Sequence, residues 1–149
     1  MINKNQILKW LDQIDAKPSE DKADGADWLL RGEFRDIPFV VVKPKDEDRV
    51  LIQRRLGVHE DDVAKQKEKT IEDREEFLYH LKRDLLLCHT RYNIGFEDEE
   101  KTILKGLLIE NYIYEDGLSK ELFFQKFYNL HDASILFIVN LKRFKWETT

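Results

Sequence analysis

The sequence predicts an α+β fold: a two-layer domain with an antiparallel sheet and helices, in the order α-β-β-β-α-β-β-α. Three observations predict it. Residues 28–56 hold three runs of apolar and β-branched residues at strand spacing, joined by connections too short for a crossover helix. Residues 60–89 and 119–146 repeat their apolar side chains at helical spacing instead. Strands and helices do not alternate, which argues against a doubly wound sheet, and no glycine-rich phosphate loop follows a strand.

The first helix is signposted at its start. Asn3 is a good N-cap, Gln6 sits where a capping-box partner belongs, and Ile2 and Ile7 occupy the staple positions. Ile7, Leu8, Trp10, Leu11 and Ile14 then share a face, and Pro18 lies just past the end. Residues 16–26 are polar and read as a loop. Trp28, Leu30 and Phe34 mark the first strand at period two, and Arg35-Asp36 turns the chain. Ile37–Val42 suits a pleated surface, with Pro38 near its start or on an edge. Pro44-Lys45-Asp46-Glu47-Asp48 is a charged turn. In the third strand, Arg49–Leu56, Val50 and Ile52 oppose Leu51 and Gln53.

One long helix is expected from about Glu60 to about His89. Its acidic start suits the helix dipole, and Asp61 can pair with Lys65 one turn on. Ile71, Phe77, Leu78, Leu81, Leu85 and Cys88 form its stripe. The part before Thr70 has only Val63 and Ala64 to bury, so it is expected to project or to lie half-exposed. Asn93–Phe96 and Ile103–Tyr114 are the last strands, with Gly106 marking a bulge or a close approach. Asp116-Gly117 turns into the final helix, capped by Ser119 and stapled by Leu118 and Phe123.

A chain of 149 residues makes one domain, residues 1–149, with a genuine core. Aromatic content of 11% argues against disorder, and 37% charged residues imply a heavily charged surface. The net charge of -5, with Lys and Arg dispersed, points away from a nucleic-acid partner. Lone Cys88 allows no internal disulfide and no multi-cysteine zinc site. No apolar run approaches the ~20 residues that cross a membrane, and no signal-peptide pattern opens the chain, so a cytoplasmic protein is expected.

Catalytic signatures are weak. His59, His80, His89 and His131 have no metal-site spacing, and His80 and His131 read as surface or flank residues on helices. Cys88 reads as a buried structural thiol. Glu97-Asp98-Glu99-Glu100 reads as a solvated turn rather than a cation site, and Asp21–Asp27 lacks the pattern of a calcium loop. Lys142, Arg143 and Lys145 suit a helix C-terminus without any phosphate ligand. No cofactor, no metal and no catalytic residue is therefore assigned.

The final segment carries the most information. Five of the nine phenylalanines lie there: Phe123, Phe124, Phe127, Phe137 and Phe144. Phe123, Phe127, Leu130, Phe137, Ile138, Leu141 and Phe144 form one helical face, suited to the sheet. Phe124, Tyr128, Ile135, Val139 and Trp146 form a second stripe, which is either covered by another helix of the chain or a partner surface. A third reading makes Ile135–Val139 a strand, with the helix ending at His131-Asp132.

The element order resembles the fold of the type III secretion chaperones. The chain also resembles a family of short, uncharacterised, mainly archaeal proteins sharing that fold. The local carrier is Tyr112-Ile113-Tyr114-Glu115-Asp116-Gly117-Leu118-Ser119-Lys120. The resemblance implies a small acidic cytoplasmic protein, a homodimer, binding an extended protein or peptide client; it brings no catalytic motif. The expectation is a non-enzymatic, chaperone-like binding protein. The alternatives are an enzyme assembled from dispersed acidic and His residues, and a nucleic-acid-associated protein with a local basic face.

Overall fold

A computed structural model describes residues 2–146, with side chains described through Arg143. The elements are α1 (Lys4–Gln13), β1 (Ser19–Asp21), β2 (Ala26–Phe34), β3 (Ile37–Pro44), β4 (Arg49–Gly57), α2 (Glu60–Lys67), α3 (Ile71–Leu87), β5 (Arg91–Phe96), β6 (Leu104–Tyr114) and α4 (Lys120–Trp146). A short 3-10 turn, Glu115–Gly117, precedes α4. One sheet orders the strands β1-β2-β3-β4-β6-β5. It is antiparallel: hairpins join β1 to β4, and backbone bonds Glu115 N to Asp48 O (2.8 Å), Val58 N to Lys105 O (3.0 Å) and Glu97 N to Ile103 O (2.9 Å) run in that sense. The α+β class is as the sequence predicts.

Two elements differ from expectation. The polar stretch 16–26 holds the edge strand β1, paired Ser19 to Arg31 and Asp21 to Leu29. Its side chains are all exposed, so it has no apolar period to read. The long helix is two helices. Thr70 is extended (φ -66°, ψ 159°), and its hydroxyl accepts from Asp73 N at 3.1 Å, so the second helix starts afresh there. Ile71, at the head of that helix, is 59% exposed, and the buried stripe begins at Phe77. The segment 135–139 is helical, not a strand.

The chain divides into two compact units. The first takes residues up to Arg54 together with Glu110–Tyr128; the second takes Arg55–Ile109 and the residues from Asn129 on.

In the first unit the α1 cap forms as read: Asn3 Oδ1 accepts from Asn5 N at 2.9 Å, and Ile2 and Ile7 are buried. The helix ends with Asp15 in the left-handed region (φ 58°) and Ala16 N bonded back to Leu11 O at 2.9 Å. Arg35 and Asp36 both take positive φ, as a two-residue hairpin turn between Phe34 and Ile37 requires. A Cβ on Gly32 would meet Pro18 Cα at 3.0 Å and the Phe39 ring at 3.1 Å, so the chain crosses β2 where it has no side chain. Leu30, Val41 and Ile52 lie side by side in register and are fully buried. The aromatic part of this core joins Phe127 to Phe34 (5.2 Å) and Phe39 (5.1 Å), and Trp10 to Phe123 (5.6 Å).

In the second unit the burial phase of β6 slips by one between Leu104 and Leu107, and a Cβ on Gly106 would stand 3.3 Å from Leu56 O. Of the bulge or close approach read from Gly106, the close approach occurs; the bonds Glu115 N to Asp48 O and Val58 N to Lys105 O keep one register with β4 on either side of it. Helix α2 is anchored by Gln66 rather than by Val63 and Ala64. The Gln66 side chain pairs with the backbone of Leu104 as a strand would, accepting from its N–H at 2.7 Å and donating to its carbonyl at 2.9 Å.

Candidate partner surface

Ser119 Oγ accepts from Leu122 N at 3.1 Å and starts α4, as its cap position predicts. On the predicted core face, Phe123, Phe127, Leu130 and Phe137 are buried, while Ile138 and Leu141 are half-buried. The second stripe is not uniform. In the first unit Phe124 and Tyr128 are half-buried: Tyr128 lies 5.9 Å from Phe34, and Lys120 Nζ lies 6.0 Å from the Phe124 ring. In the second unit Ile135 is 43% and Val139 52% exposed. The side chains of Phe144 and Trp146 lie outside the described residues.

Beside α4 in the second unit, α3 presents Tyr79, Leu86 and Leu87, each more than half exposed. Asn140 ties the two helices, donating to Asp84 Oδ2 at 2.9 Å and to Leu136 O at 2.8 Å. Sequence periodicity led to the buried stripe of α3 and passed over these three residues, because single apolar side chains outside a stripe carry no pattern.

The polar groups inside the core were also missed. His131 is 5% exposed, which corrects its reading as a surface or flank residue; it lies inward on α4 with Ser134 and Asn140. Ser134 Oγ donates to Leu130 O at 2.8 Å, so helix backbone accommodates this buried hydroxyl. In the first unit Arg54 is buried with its guanidinium 5.6 Å from the Phe127 ring, and burial pushes its pKa down to about 10. It remains charged at neutral pH. Its phase with Val50 and Ile52 on β4 was the available signal.

Other candidates resolve locally. Burial, with the carboxylates of Asp132 and Asp84, pushes the Cys88 thiol up and disfavours the nucleophilic thiolate. Asp98, from the acidic run, is used by its own turn. Burial opposes its ionisation, but hydrogen bonds from Thr102 Oγ1 (2.6 Å), Ile103 N (2.8 Å) and Thr102 N (3.0 Å) outweigh it and hold the carboxyl below the usual range. Among the described residues, no group of three or more His, Cys, Asp and Glu is placed to hold a metal ion. A cleft of about 200 Å³ in the second unit is lined by Lys69, Asp73, Glu76, His80 and Asn140, among others. His80 Nε2 lies 3.6 Å from Glu76 Oε1, and its buried Nδ1 has no hydrogen-bond partner. No helix among the described residues is long and apolar enough to cross a membrane.

These features define an α+β protein with a six-stranded antiparallel sheet. Among solved structures it is similar to an uncharacterised protein from Methanothermobacter thermautotrophicus, at 21% identity over 95% of this chain and 98% of that one, with a TM-score of 0.85. It is also similar to a chain of the ExsC–ExsE complex, at 14% identity over 89% and 90% of the two chains, TM-score 0.48. YbjN from E. coli aligns at 15% identity over 95% and 90%, TM-score 0.44. The chain belongs to DUF2299, a family of uncharacterised conserved proteins whose model matches residues 3–141. Comparison with the curated proteins found no match.

Proposed function

We propose that this protein is a non-enzymatic, chaperone-like protein-binding domain that acts as a homodimer. The carrying observation is the concentration of exposed large apolar side chains on the helices of the second unit: Tyr79, Leu86 and Leu87 on α3, with Ile135 and Val139 on α4. A large apolar side chain left in water forfeits roughly 1.5–3 kcal/mol of burial, which a partner can recover. The occupant proposed is an apolar segment of a client protein. The stripe read from the sequence narrows accordingly to Ile135 and Val139, since Phe124 and Tyr128 already pack within the first unit. The dispersed Lys and Arg and the net charge of -5 favour a protein client over nucleic acid, and lone Cys88 suits a reducing cytoplasm.

The test compares the wild type with Ile135→Asp/Val139→Asp. Both positions are exposed, so the variant is expected to keep its circular dichroism and melting temperature. The wild type should suppress light scattering by a chemically unfolded client, and the variant should not. A wild type without any effect sinks the binding reading; an undiminished variant moves the surface elsewhere.

One observation favours the enzyme alternative, namely the meeting of His80, Glu76 and Asp73 in one cleft. That reading requires a small molecule whose binding His80→Ala abolishes while client suppression survives.

A further inference from the structure

Helix α2 is held to the second unit chiefly by hydrogen bonds, and they gather at its last turn. It has eight residues, a length with little helical stability of its own in water. Gln66 is its buried residue, Val63 is half-buried and Ala64 is exposed, so little apolar burial fixes it. The Gln66 amide holds both backbone groups of Leu104. From α3, Arg74 donates Nε to Gln66 O at 2.8 Å and Nη2 to Lys67 O at 2.8 Å, a cation on the carbonyl end of the helix. Short joints flank α2: Gly57 has open space where a side chain would stand, and Thr70 is extended. On either side of Leu104 the backbone bonds other backbone, Ile103 O accepting from Glu97 N at 2.9 Å and Lys105 O from Val58 N at 3.0 Å. At Leu104 a side chain stands where a strand would.

We propose that α2 is a latch: it opens by itself while the rest of the second unit stays folded, and when closed it blocks a strand-pairing position on β6. Opening breaks the bonds to Leu104 and Arg74 and exposes little apolar surface. Water replaces much of what those bonds contribute, so the closed form is favoured only modestly. Segments with few buried apolar contacts open at far lower free energy than the core. Helix α3 is the contrast, because it buries Phe77, Leu78, Leu81 and Leu85 and cannot leave without them. The Leu104 N–H and carbonyl are free for pairing only in the open form.

Residue-resolved amide hydrogen exchange on the full chain tests the latch, because the Leu104 N–H lies in β6 yet donates to Gln66. In the wild type the Leu104 amide and those of Ala64–Lys67 should exchange as one group, roughly 10-fold or more faster than Leu81 and Leu85 in α3. Two variants separate latch opening from unfolding of the core. Ile109 is fully buried and keeps its packing when α2 opens. Ile109→Val should therefore speed Leu81 and Leu85 roughly five-fold and leave the latch group unchanged. Gln66→Ala removes bonds that both processes break, so it should speed both groups on the order of 100-fold. A latch group that Ile109→Val speeds as much as the core overturns the proposal, since α2 then opens only when the core does. A Leu104 amide that follows Leu81 and Leu85 while α2 exchanges fast overturns the blocking of β6.

Discussion

Gln66 shows how one polar side chain anchors a helix that has almost nothing apolar to bury. Its amide makes both strand-like bonds to Leu104, and its own carbonyl accepts from Arg74 Nε at 2.8 Å. Gln66→Ala strands a buried N–H and a buried carbonyl together. The expected cost is on the order of 3 kcal/mol, read as a lower urea midpoint with an unchanged slope. Asp98 makes a prediction about pH. Its carboxyl titrates lower in the folded chain than in the unfolded one, so its contribution is present above the unfolded pKa. That contribution is lost as pH falls through the folded pKa. Asp98→Asn should therefore flatten the acid limb of stability against pH, a change visible in melting temperatures from neutral to strongly acid pH. Neither role was legible in the sequence. Gln66 gains its value from a strand start 38 residues away, and Asp98 from hydrogen bonds that exist only once its turn closes.

At the scale of elements, caps decide where helices begin, and caps are local. The starts at Asn3 and Ser119 were readable because each precedes a clear apolar period. Thr70 is just as good a cap, but it sits inside a run of helix-forming residues, so no break in composition marks it. Thr70→Ala should cost about 1 kcal/mol. Faster amide exchange in the first turn of α3, with α2 little changed, would show that the loss is local. The run Ile135–Val139 posed the opposite problem. Its composition suits a strand, yet it continues the helix whose inner face carries Phe127, Leu130, Ser134 and Phe137. A strand there would turn alternate residues out of that buried face.

For the whole molecule, function turns on which apolar residues stay outside. Client suppression lost in Ile135→Asp/Val139→Asp with an unchanged melting temperature is the outcome expected if those exposed residues bind the client. The α+β class and the five longer strands were determined by the sequence alone, whereas the edge strand β1 was not. Period two, period 3.6 and the caps and turns between them are properties of neighbouring residues, so they survive without the fold. Whether Phe124, Tyr128, Ile135 and Val139 are core or surface was decided only by the tertiary structure. The sequence marks a side chain as apolar, but burial depends on what the folded chain brings against it, and Phe34 is brought to Tyr128 from 94 residues away.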